Sequence, residues 1–265
     1  MIDGESKSKE ASATASSPEE GMTFTEHLGE LRTRIIYSIV FLILGCFVSF
    51  PLIKPFLFPF MMRPMAGIKD AEIQVLGPSE KFMAYFKVGI AAGLVIALPL
   101  VLYQLWLFVR PGLKQKEKRW VKGLLWSAVF LFLAGAAFSF FLMLPIALRF
   151  LLTFNPGYDI KTQITLDRYF SFTLFLVLAG GLVFQIPLIT FFLSLIGLVS
   201  PHQMSKYRKY AILATVILAA ALTPTGDPVT LSVMGLPIYL LYEISIFVSR
   251  AVYKGKAAAV EKASE

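Results

Sequence analysis

Residues 88–109 decide the fold class, because they read VGIAAGLVIALPLVLYQLWLFV without a charged side chain. A helix needs about 20 predominantly apolar residues to cross the hydrocarbon core of a bilayer, so this stretch is long enough for one crossing. Its apolar side chains are not confined to one stripe, as they would be on a surface helix of a soluble protein. Residues 124–144 have the same character. The pattern predicts helices that span a membrane.

The charged residues of the chain separate six such stretches. Counted between the flanking charges, they are residues 35–53, 88–109, 123–148, 169–205, 210–226 and 228–249. They hold 19, 22, 26, 37, 17 and 22 residues, and Glu243 is the one charge inside any of them. Each has room for one span, and the longest is too short to hold two comfortably. We therefore predict an all-α, polytopic membrane protein with six transmembrane helices, of which the fifth is short.

Composition supports a membrane protein and argues against an enzyme. Hydrophobic residues make up 57% of the 265 residues and charged residues 16%, against roughly 25% charged in soluble domains. A soluble fold would have to bury six wholly apolar helices, so we set that alternative aside. Cys46 is the single cysteine, and no Ser–His pair, zinc motif or phosphate-binding loop is present. The sequence predicts no enzymatic activity, no cofactor and no metal site.

Small residues within the spans predict where helices pack closely. They recur in Gly89–Gly93, with a glycine at each end, and in Ala134–Ala137. Residues of this size let the backbones of membrane helices approach one another. Both segments are interpreted as helix contacts rather than as sites.

The distribution of lysine and arginine predicts the orientation. Cytoplasmic loops retain an excess of these residues. Of the 25 in the chain, 17 lie in the two tails and in the loops that follow spans two and four, and eight lie in the loops that follow spans one and three. Both termini are therefore predicted to be cytoplasmic. The net charge of +8 reflects this orientation and does not predict nucleic-acid binding.

The sequence divides into a membrane domain and two tails. Residues 1–21 predict a disordered cytoplasmic tail, residues 22–252 the six-helix domain, and residues 253–265 a short polar cytoplasmic tail. The first apolar run has no small-residue cleavage site after it and is predicted to be a retained span. Residues 223–228, TPTGDP, predict a tight turn, so spans five and six should form a close antiparallel hairpin.

Carboxylates at the predicted cytoplasmic rim are the candidate functional groups. Glu26 and Glu30 precede the first span, and Glu117 stands among basic residues in the loop after the second. Two interpretations stay open at this point. The carboxylates form ion pairs with neighbours such as Arg34 or Arg119, or they bind a cationic ligand. An arginine ligand would suit them, because a guanidinium pairs bidentately with a carboxylate and a lysine ammonium does not.

Several segments together carry a resemblance to a known family. They read FTEHLGELRTR (24–34), LYQLWLFVRPGL (102–113), EKR (117–119), FQIP (184–187), LTP (222–224) with Asp227, LPIY (236–239), YE (242–243) and SR (249–250). In this order and with six spans, they resemble TatC, the receptor subunit of the twin-arginine protein translocase. The resemblance implies a concave, glove-like bundle in the bacterial cytoplasmic membrane.

The same resemblance implies a function in protein transport. Proteins of this family recognise the Arg-Arg motif in the signal peptides of folded precursors at the cytoplasmic face. They work with single-span TatA- and TatB-type partners and with further copies in a larger complex, using the proton-motive force. By this resemblance Glu30 and Glu117 would meet the two arginines, and Arg32, Phe108 and Arg119 would shape the same surface.

The resemblance also assigns three residues away from the rim. Gln185 would be the polar group within span four, where many relatives carry Glu, so we expect it to form hydrogen bonds rather than to titrate. Thr223 and Asp227 would lie where small partners dock, although the turn here is one residue longer than the usual form.

A small-solute transporter or channel is the alternative from another class. Such proteins usually contain inverted repeats and helices broken near the midplane. Residues 22–145 and 146–252 show no self-similarity, and Pro187 beside Gln185 is the one strong midplane breaker. The sequence therefore favours a translocase receptor, which should be recovered together with folded precursors and single-span partners.

Overall fold

The computed structural model describes residues 24–67, 72–109, 121–153, 163–222 and 228–264. Within these ranges the chain forms ten α-helices and two short strands. In chain order they are α1 (Phe24–Leu52), α2 (Phe58–Met62), β1 (Glu72–Gln74), α3 (Pro78–Val109), α4 (Val121–Phe138), α5 (Leu144–Thr153), β2 (Gln163–Thr165), α6 (Leu166–Val183), α7 (Ile186–Leu195), α8 (Pro201–Lys206), α9 (Arg208–Leu222) and α10 (Pro228–Ser264). The predicted all-α class is confirmed, with one small pair of strands added.

Short irregular turns extend two of the long helices. A π-helical turn, Ile53–Leu57, joins α1 to α2, and a 3-10 turn, Arg63–Gly67, follows α2. A second π-helical turn, Ser139–Met143, joins α4 to α5. Proline lacks the backbone N–H that an α-helical hydrogen bond needs, and Pro55 and Pro145 lie within or just after these turns.

Five helical segments of the described chain are long and apolar enough to cross a membrane. They are residues 26–65, 78–108, 123–152, 166–195 and 230–255. Helix α9 has only 15 residues, or about 22 Å at 1.5 Å per residue, against a hydrocarbon core of about 30 Å. It corresponds to the predicted short fifth span. The multi-pass helical architecture is confirmed, while the sixth crossing and the side of each terminus stay predictions.

Helices α1 and α3 pack backbone to backbone through small residues. A Cβ atom on Gly45 would lie 2.5 Å from the carbonyl oxygen of Gly93, and one on Gly93 would lie 2.6 Å from Cys46 Sγ. One turn further along, Ser49 Oγ donates a hydrogen bond to the carbonyl oxygen of Gly89 at 2.7 Å. The predicted contact face at Gly89–Gly93 is confirmed, and Cys46 is part of it.

The same kind of contact joins α4 to α6. A Cβ atom on Gly135 would lie 2.5 Å from the carbonyl oxygen of Gly180, and one on Gly181 would lie 2.7 Å from the ring of Phe132. Since no larger side chain fits between these backbones, the predicted packing role of Ala134–Ala137 is also confirmed.

Parallel pairing of β1 with β2 marks one end of the bundle, which we call the strand end. Ile73 is the partner of Ile164 in the centre of this pair. Just below, Lys87 Nζ on α3 contacts Asp167 Oδ1 on α6 at 2.6 Å and Ser171 Oγ at 2.8 Å. Two loops that are far apart in sequence are thereby joined to each other, at the end predicted to face outward.

Helices α9 and α10 form the predicted hairpin. Gly235 on α10 faces Ala219 and Thr215 on α9 at van der Waals distance. At the other end of α9, Arg208 Nη2 contacts Glu243 Oε2 at 2.8 Å. These pairings run in opposite directions along the two helices, so the helices are antiparallel. Helix α10 continues to Ser264, and the predicted polar tail is helical as far as that residue.

A cavity of about 560 Å³, lined entirely by apolar side chains, opens between the helices. Its walls come from the end of α1 with its π-helical turn, and from α2, α3, α4 and α6. Leu52, Phe60, Val95, Leu133 and Val177 are among the lining residues. The packed core lies next to it, around the fully buried Tyr169 and Phe170.

Candidate functional site

The start of α1 and the end of α3 meet at the end of the bundle opposite the strands. His27, Glu30 and Arg34 follow one another at spacings of three and four residues, which places them on one face of α1. Contacts from this face reach Gln104 and Phe108 on α3. We call these five residues the rim cluster. The sequence placed Glu30 just before the first apolar stretch. In the structure, α1 begins earlier, at Phe24, and therefore includes Glu30.

Glu30 and Arg34 form an ion pair one helical turn apart. Arg34 Nη2 lies 3.1 Å from Glu30 Oε1, and the two side chains are 26% and 17% exposed, respectively. At this degree of burial the pair is screened less by water than a surface pair would be. The carboxylate is therefore partly desolvated yet still in contact with solvent.

Gln104 ties this pair to the neighbouring helix. Its side-chain oxygen accepts a hydrogen bond from Arg34 Nη1 at 3.2 Å, and the residue is 6% exposed. The guanidinium of Arg34 thus contacts a carboxylate on its own helix through Nη2 and an amide on α3 through Nη1. These two contacts fix its position.

Two polar atoms of the pair are left without a partner among the described residues. Both atoms are buried: Glu30 Oε2 accepts no hydrogen bond and Arg34 Nε donates none to any described residue. Buried polar atoms are normally satisfied, and leaving one without a partner costs about 1–3 kcal/mol. The pair is therefore joined through a single nitrogen–oxygen contact, although a guanidinium and a carboxylate can form two.

Aromatic stacking closes the cluster toward the end of the helices. The rings of His27 and Phe108 stack with centroids 4.4 Å apart and planes 20° apart. Phe108 lies one turn beyond Gln104 on α3, so the stack covers the side of the cluster nearest the helix ends. Phe108 was predicted to shape this surface; in the structure it stacks on His27, three residues before Glu30 on α1, and its role stays a prediction.

Arg32 lies on a different side of α1. Two residues correspond to about 200° around an α-helix, so Arg32 points away from the face that carries Glu30 and Arg34. Its side chain is exposed. The structure does not bring Arg32 together with Glu30, although the two are close in sequence.

Four predicted site residues lie outside the described residues. They are Glu117 and Arg119, in the loop after α3, and Thr223 and Asp227, in the turn between α9 and α10. Their assignments stay predictions.

Gln185 lies at the break between α6 and α7. Pro187 has no N–H to continue the α-helical ladder, and the chain forms a turn at Phe184 and Gln185 before α7 begins. The half-buried Gln185 side chain donates a hydrogen bond from Nε2 to the carbonyl oxygen of Ala128 on α4, at 2.9 Å. The break in span four, expected at Pro187, is confirmed.

Three members of the rim cluster make more contacts than the sequence predicted. His27 was given an ordinary polar role, Arg34 appeared only as an alternative partner, and Gln104 only as part of a matching segment. The spacing of three and four residues on α1, and of four residues from Gln104 to Phe108, is the signal that places them on facing sides. The pairing of the two faces depends on how α1 packs against α3.

Together, the fold and the site define a class of protein: a polytopic helical membrane protein with a partly buried carboxylate at one end of its bundle. Residues 26–237 match the family model described as "Sec-independent protein translocase protein (TatC)". This match covers most of the chain and includes α1, α3 and their rim cluster. The chain belongs to the TatC family.

Individual relatives agree with the family match. The chain is 38% identical to the Sec-independent protein translocase protein TatC of Koribacter versatilis, over 88% of this chain and 87% of that protein. It is 37% identical to the TatC protein of Aquifex aeolicus, over 89% of this chain and 98% of that protein. A crystal structure of a twin-arginine translocase receptor TatC superposes with a TM-score of 0.75 at 36% identity, covering 86% of this chain and 99% of that one.

Family membership decides the broad function. The chain is a multi-pass membrane component of the Sec-independent protein translocase, a transport protein rather than an enzyme. Its partners are other translocase subunits and the proteins that they transport. The alternative of a small-solute transporter is set aside by the same finding.

Proposed function

We propose that this protein is the subunit that recognises the Arg-Arg motif of signal peptides, with Glu30 as one of two carboxylates that bind the arginines. The observation that carries the proposal is the state of Glu30. It is 17% exposed, and its second oxygen has no partner among the described residues. A carboxylate in this state gains more from an incoming guanidinium than a fully hydrated one.

The remaining recognition surface is proposed from the family resemblance. Glu117 supplies the second carboxylate, and Arg32, Phe108 and Arg119 shape the surface around the two. The stacking of Phe108 on His27 at 4.4 Å supports a place for Phe108 beside Glu30. For Arg32, an exposed side chain on the other side of α1 is consistent with contacts to a longer part of the signal peptide.

Gln185, Thr223 and Asp227 belong to the later steps of the proposed function. Gln185 is the polar group that holds the broken span four against α4, as its hydrogen bond to Ala128 supports. Thr223 and Asp227 contribute to the surface on which TatA- and TatB-type single-span proteins dock. In this proposal the protein associates with further copies in the bacterial inner membrane, and the proton-motive force drives transport.

Peptide binding to purified variants tests the recognition site. Glu30→Ala and Glu117→Ala should each weaken the binding of a synthetic twin-arginine signal peptide by about ten- to a hundredfold, because each removes one charge-assisted hydrogen-bonding partner worth roughly 1.5–3 kcal/mol. Glu30→Gln should also bind the signal peptide more weakly, since the amide keeps the shape of the carboxylate and loses its negative charge. A Lys-Lys signal peptide should bind the unmodified protein more weakly.

Glu26→Ala is the matched control, because it removes the same charge one turn earlier on α1. It should leave peptide affinity within about twofold, the range of a change at an exposed position. Thermal stability of each variant in detergent separates loss of binding from loss of fold. Unchanged affinity in the Glu30→Ala/Glu117→Ala double variant would end the site assignment.

A further inference from the structure

The rim cluster contains a guanidinium of its own on the carboxylate that is proposed to receive a signal arginine. We infer that Arg34 is an intramolecular competitor, which occupies Glu30 in the free protein and must be released before a signal peptide binds. The inference rests on the proposed function of Glu30 and adds to it a residue that sets the affinity of the site. It concerns Arg34 and Gln104, to which the proposed function gives no role.

The geometry shows an occupied but incompletely satisfied carboxylate. Arg34 contacts Glu30 through one nitrogen and one oxygen at 3.1 Å, while Glu30 Oε2 and Arg34 Nε have no partner among the described residues. A guanidinium that approached edge-on would satisfy both carboxylate oxygens. The resident pairing is therefore weaker than the pairing that an incoming arginine can form, and exchange between the two is favourable.

Access requires that Arg34 moves. Arg34 Nη2 occupies Glu30 Oε1 at 3.1 Å, and a bidentate ligand needs both carboxylate oxygens, so it can bind only after Arg34 leaves Oε1. That side chain is 26% exposed and has room to turn toward solvent. Gln104, which is 6% exposed on α3, already accepts a hydrogen bond from Arg34 Nη1 at 3.2 Å. It therefore provides a partner for Arg34 after the carboxylate is released.

A competitor of this kind has a kinetic signature that a purely structural residue lacks. Only the fraction of molecules with Arg34 released is competent to bind, and the apparent affinity is reduced by that fraction. Removal of Arg34 should therefore raise the association rate constant and leave the dissociation rate constant unchanged. Removal of Arg34 should increase the affinity for Arg-Arg and for Lys-Lys peptides by the same factor. The free energy needed to release Arg34 from Glu30 does not depend on which peptide binds afterwards.

The experiment compares four proteins at fixed salt: the unmodified chain, Arg34→Gln, Glu30→Ala and the Glu30→Ala/Arg34→Gln double variant. Stopped-flow fluorescence with a labelled twin-arginine signal peptide gives both rate constants. Arg34→Gln should bind about fivefold faster and tighter, the factor expected for one partly exposed ion pair. In the Glu30→Ala background the same change should have no effect, since no carboxylate remains to be released.

The outcomes separate the inference from the proposed function. Unchanged or weaker binding by Arg34→Gln, together with weaker binding by Glu30→Ala, would overturn the inference alone. A gain that persists in the double variant would reveal a general electrostatic effect of lost positive charge, and would also overturn it. Unchanged binding by Glu30→Ala would overturn both.

Arg34→Lys provides a second variant that retains the charge if Arg34→Gln does not fold. A lysine at this position loses the fork of the guanidinium and should hold Glu30 less firmly, giving a smaller gain of about twofold, within the range of an exposed ion pair. No gain in a folded Arg34→Lys protein would count against competition.

Discussion

Glu30 and Gln185 are polar side chains stabilised by contacts between elements of the protein in places where water is limited. Glu30 is held by Arg34, which Gln104 in turn holds from the neighbouring helix. Gln185 donates to a backbone carbonyl that already belongs to a helix, at Ala128. The contact at Gln185 satisfies a polar group without burying a charge, and a neutral amide in hydrocarbon costs far less than an ion.

At Gln185, we predict that Gln185→Glu retains more transport activity than Gln185→Leu. A glutamic acid in its neutral form still has an O–H that can donate to the Ala128 carbonyl, whereas leucine has no hydrogen-bond donor. The lost hydrogen bond should destabilise the junction of α6, α7 and α4 by about 0.6–2 kcal/mol. Export of a twin-arginine reporter from cells measures activity, and thermal unfolding in detergent measures stability.

Equal loss of transport in both variants would show that a tight fit, rather than the hydrogen bond, makes position 185 sensitive. Gln185→Asn is a useful companion, because it keeps the amide and shortens its reach. Its transport activity should be intermediate between those of Gln185→Glu and Gln185→Leu.

Close contacts between helix pairs are the main structural device at the scale of elements. Helix α1 packs chiefly against α3, and α4 against α6, in each case with glycines at the closest approach. The two pairs differ from an ordinary hydrophobic core because lipid is as apolar as the side chains, so close packing rather than exclusion of water stabilises the contact. Helix α1 is otherwise widely exposed, with Phe47 72% exposed, as suits a helix that contacts lipid.

Gly93→Ala should therefore destabilise the protein by about 1–3 kcal/mol, the usual cost of overpacking. The new Cβ atom would lie 2.6–2.7 Å from the side chain and backbone of Cys46, and backbone atoms cannot move aside as a flexible side chain would. Gly123→Ala is the matched control, because among the described residues no atom beyond its own stretch of helix lies within 4 Å of its Cβ position. Alanine there is also more favourable to the helix than glycine, by up to about 1 kcal/mol.

Thermal unfolding of both glycine variants in the same detergent measures the difference. Equal stability of Gly93→Ala and the unmodified chain would mean that α1 and α3 can separate slightly without loss, contrary to the role assigned to this contact.

At the scale of the molecule, the described helices fall into two groups that share one hydrophobic core and are connected in sequence by the break in span four. Helix α3 packs mainly against α1, α4 and α6, and α10 mainly against α7, α8 and α9. Smaller contacts of α10 with α5 and of α4 with α7 connect the two groups. The turn at Phe184 and Gln185 lies between α6 and α7 and so joins one group to the other. The rim cluster lies in the first group, on α1 and α3, and the α9–α10 hairpin lies in the second.

Orientation is the prediction at this scale. Residues 110–122 and 200–209 should be accessible from the cytoplasm, because Lys and Arg are concentrated there. In a Cys46→Ala background, a single cysteine introduced at Gln115 or Gln203 should react with a membrane-impermeant thiol reagent only after the cells are opened. One introduced at Ser79, near the strand end, should react in intact cells. Labelling of the Gln115→Cys variant in intact cells would contradict the topology.

The sequence by itself determined the membrane class, five of the helical spans, the shortness of α9 and the break at Pro187. These features follow from local rules: the length of an apolar run, the missing N–H of proline, and the spacing of charges. It also singled out Glu30 and Phe108 through the family resemblance. The parallel pairing of β1 with β2 was not foreseen, since three-residue strands carry almost no periodic signal.

Only the tertiary structure decided what Glu30 contacts. The sequence left open whether this carboxylate pairs internally or binds a ligand. The structure shows an internal pair with Arg34 that leaves one carboxylate oxygen without a partner among the described residues. The contribution of Gln104 depends on the packing of α1 against α3, which brings together residues 70 positions apart. Contacts of this kind are set by how two helices meet, and the periodicity of either helix alone does not contain that information.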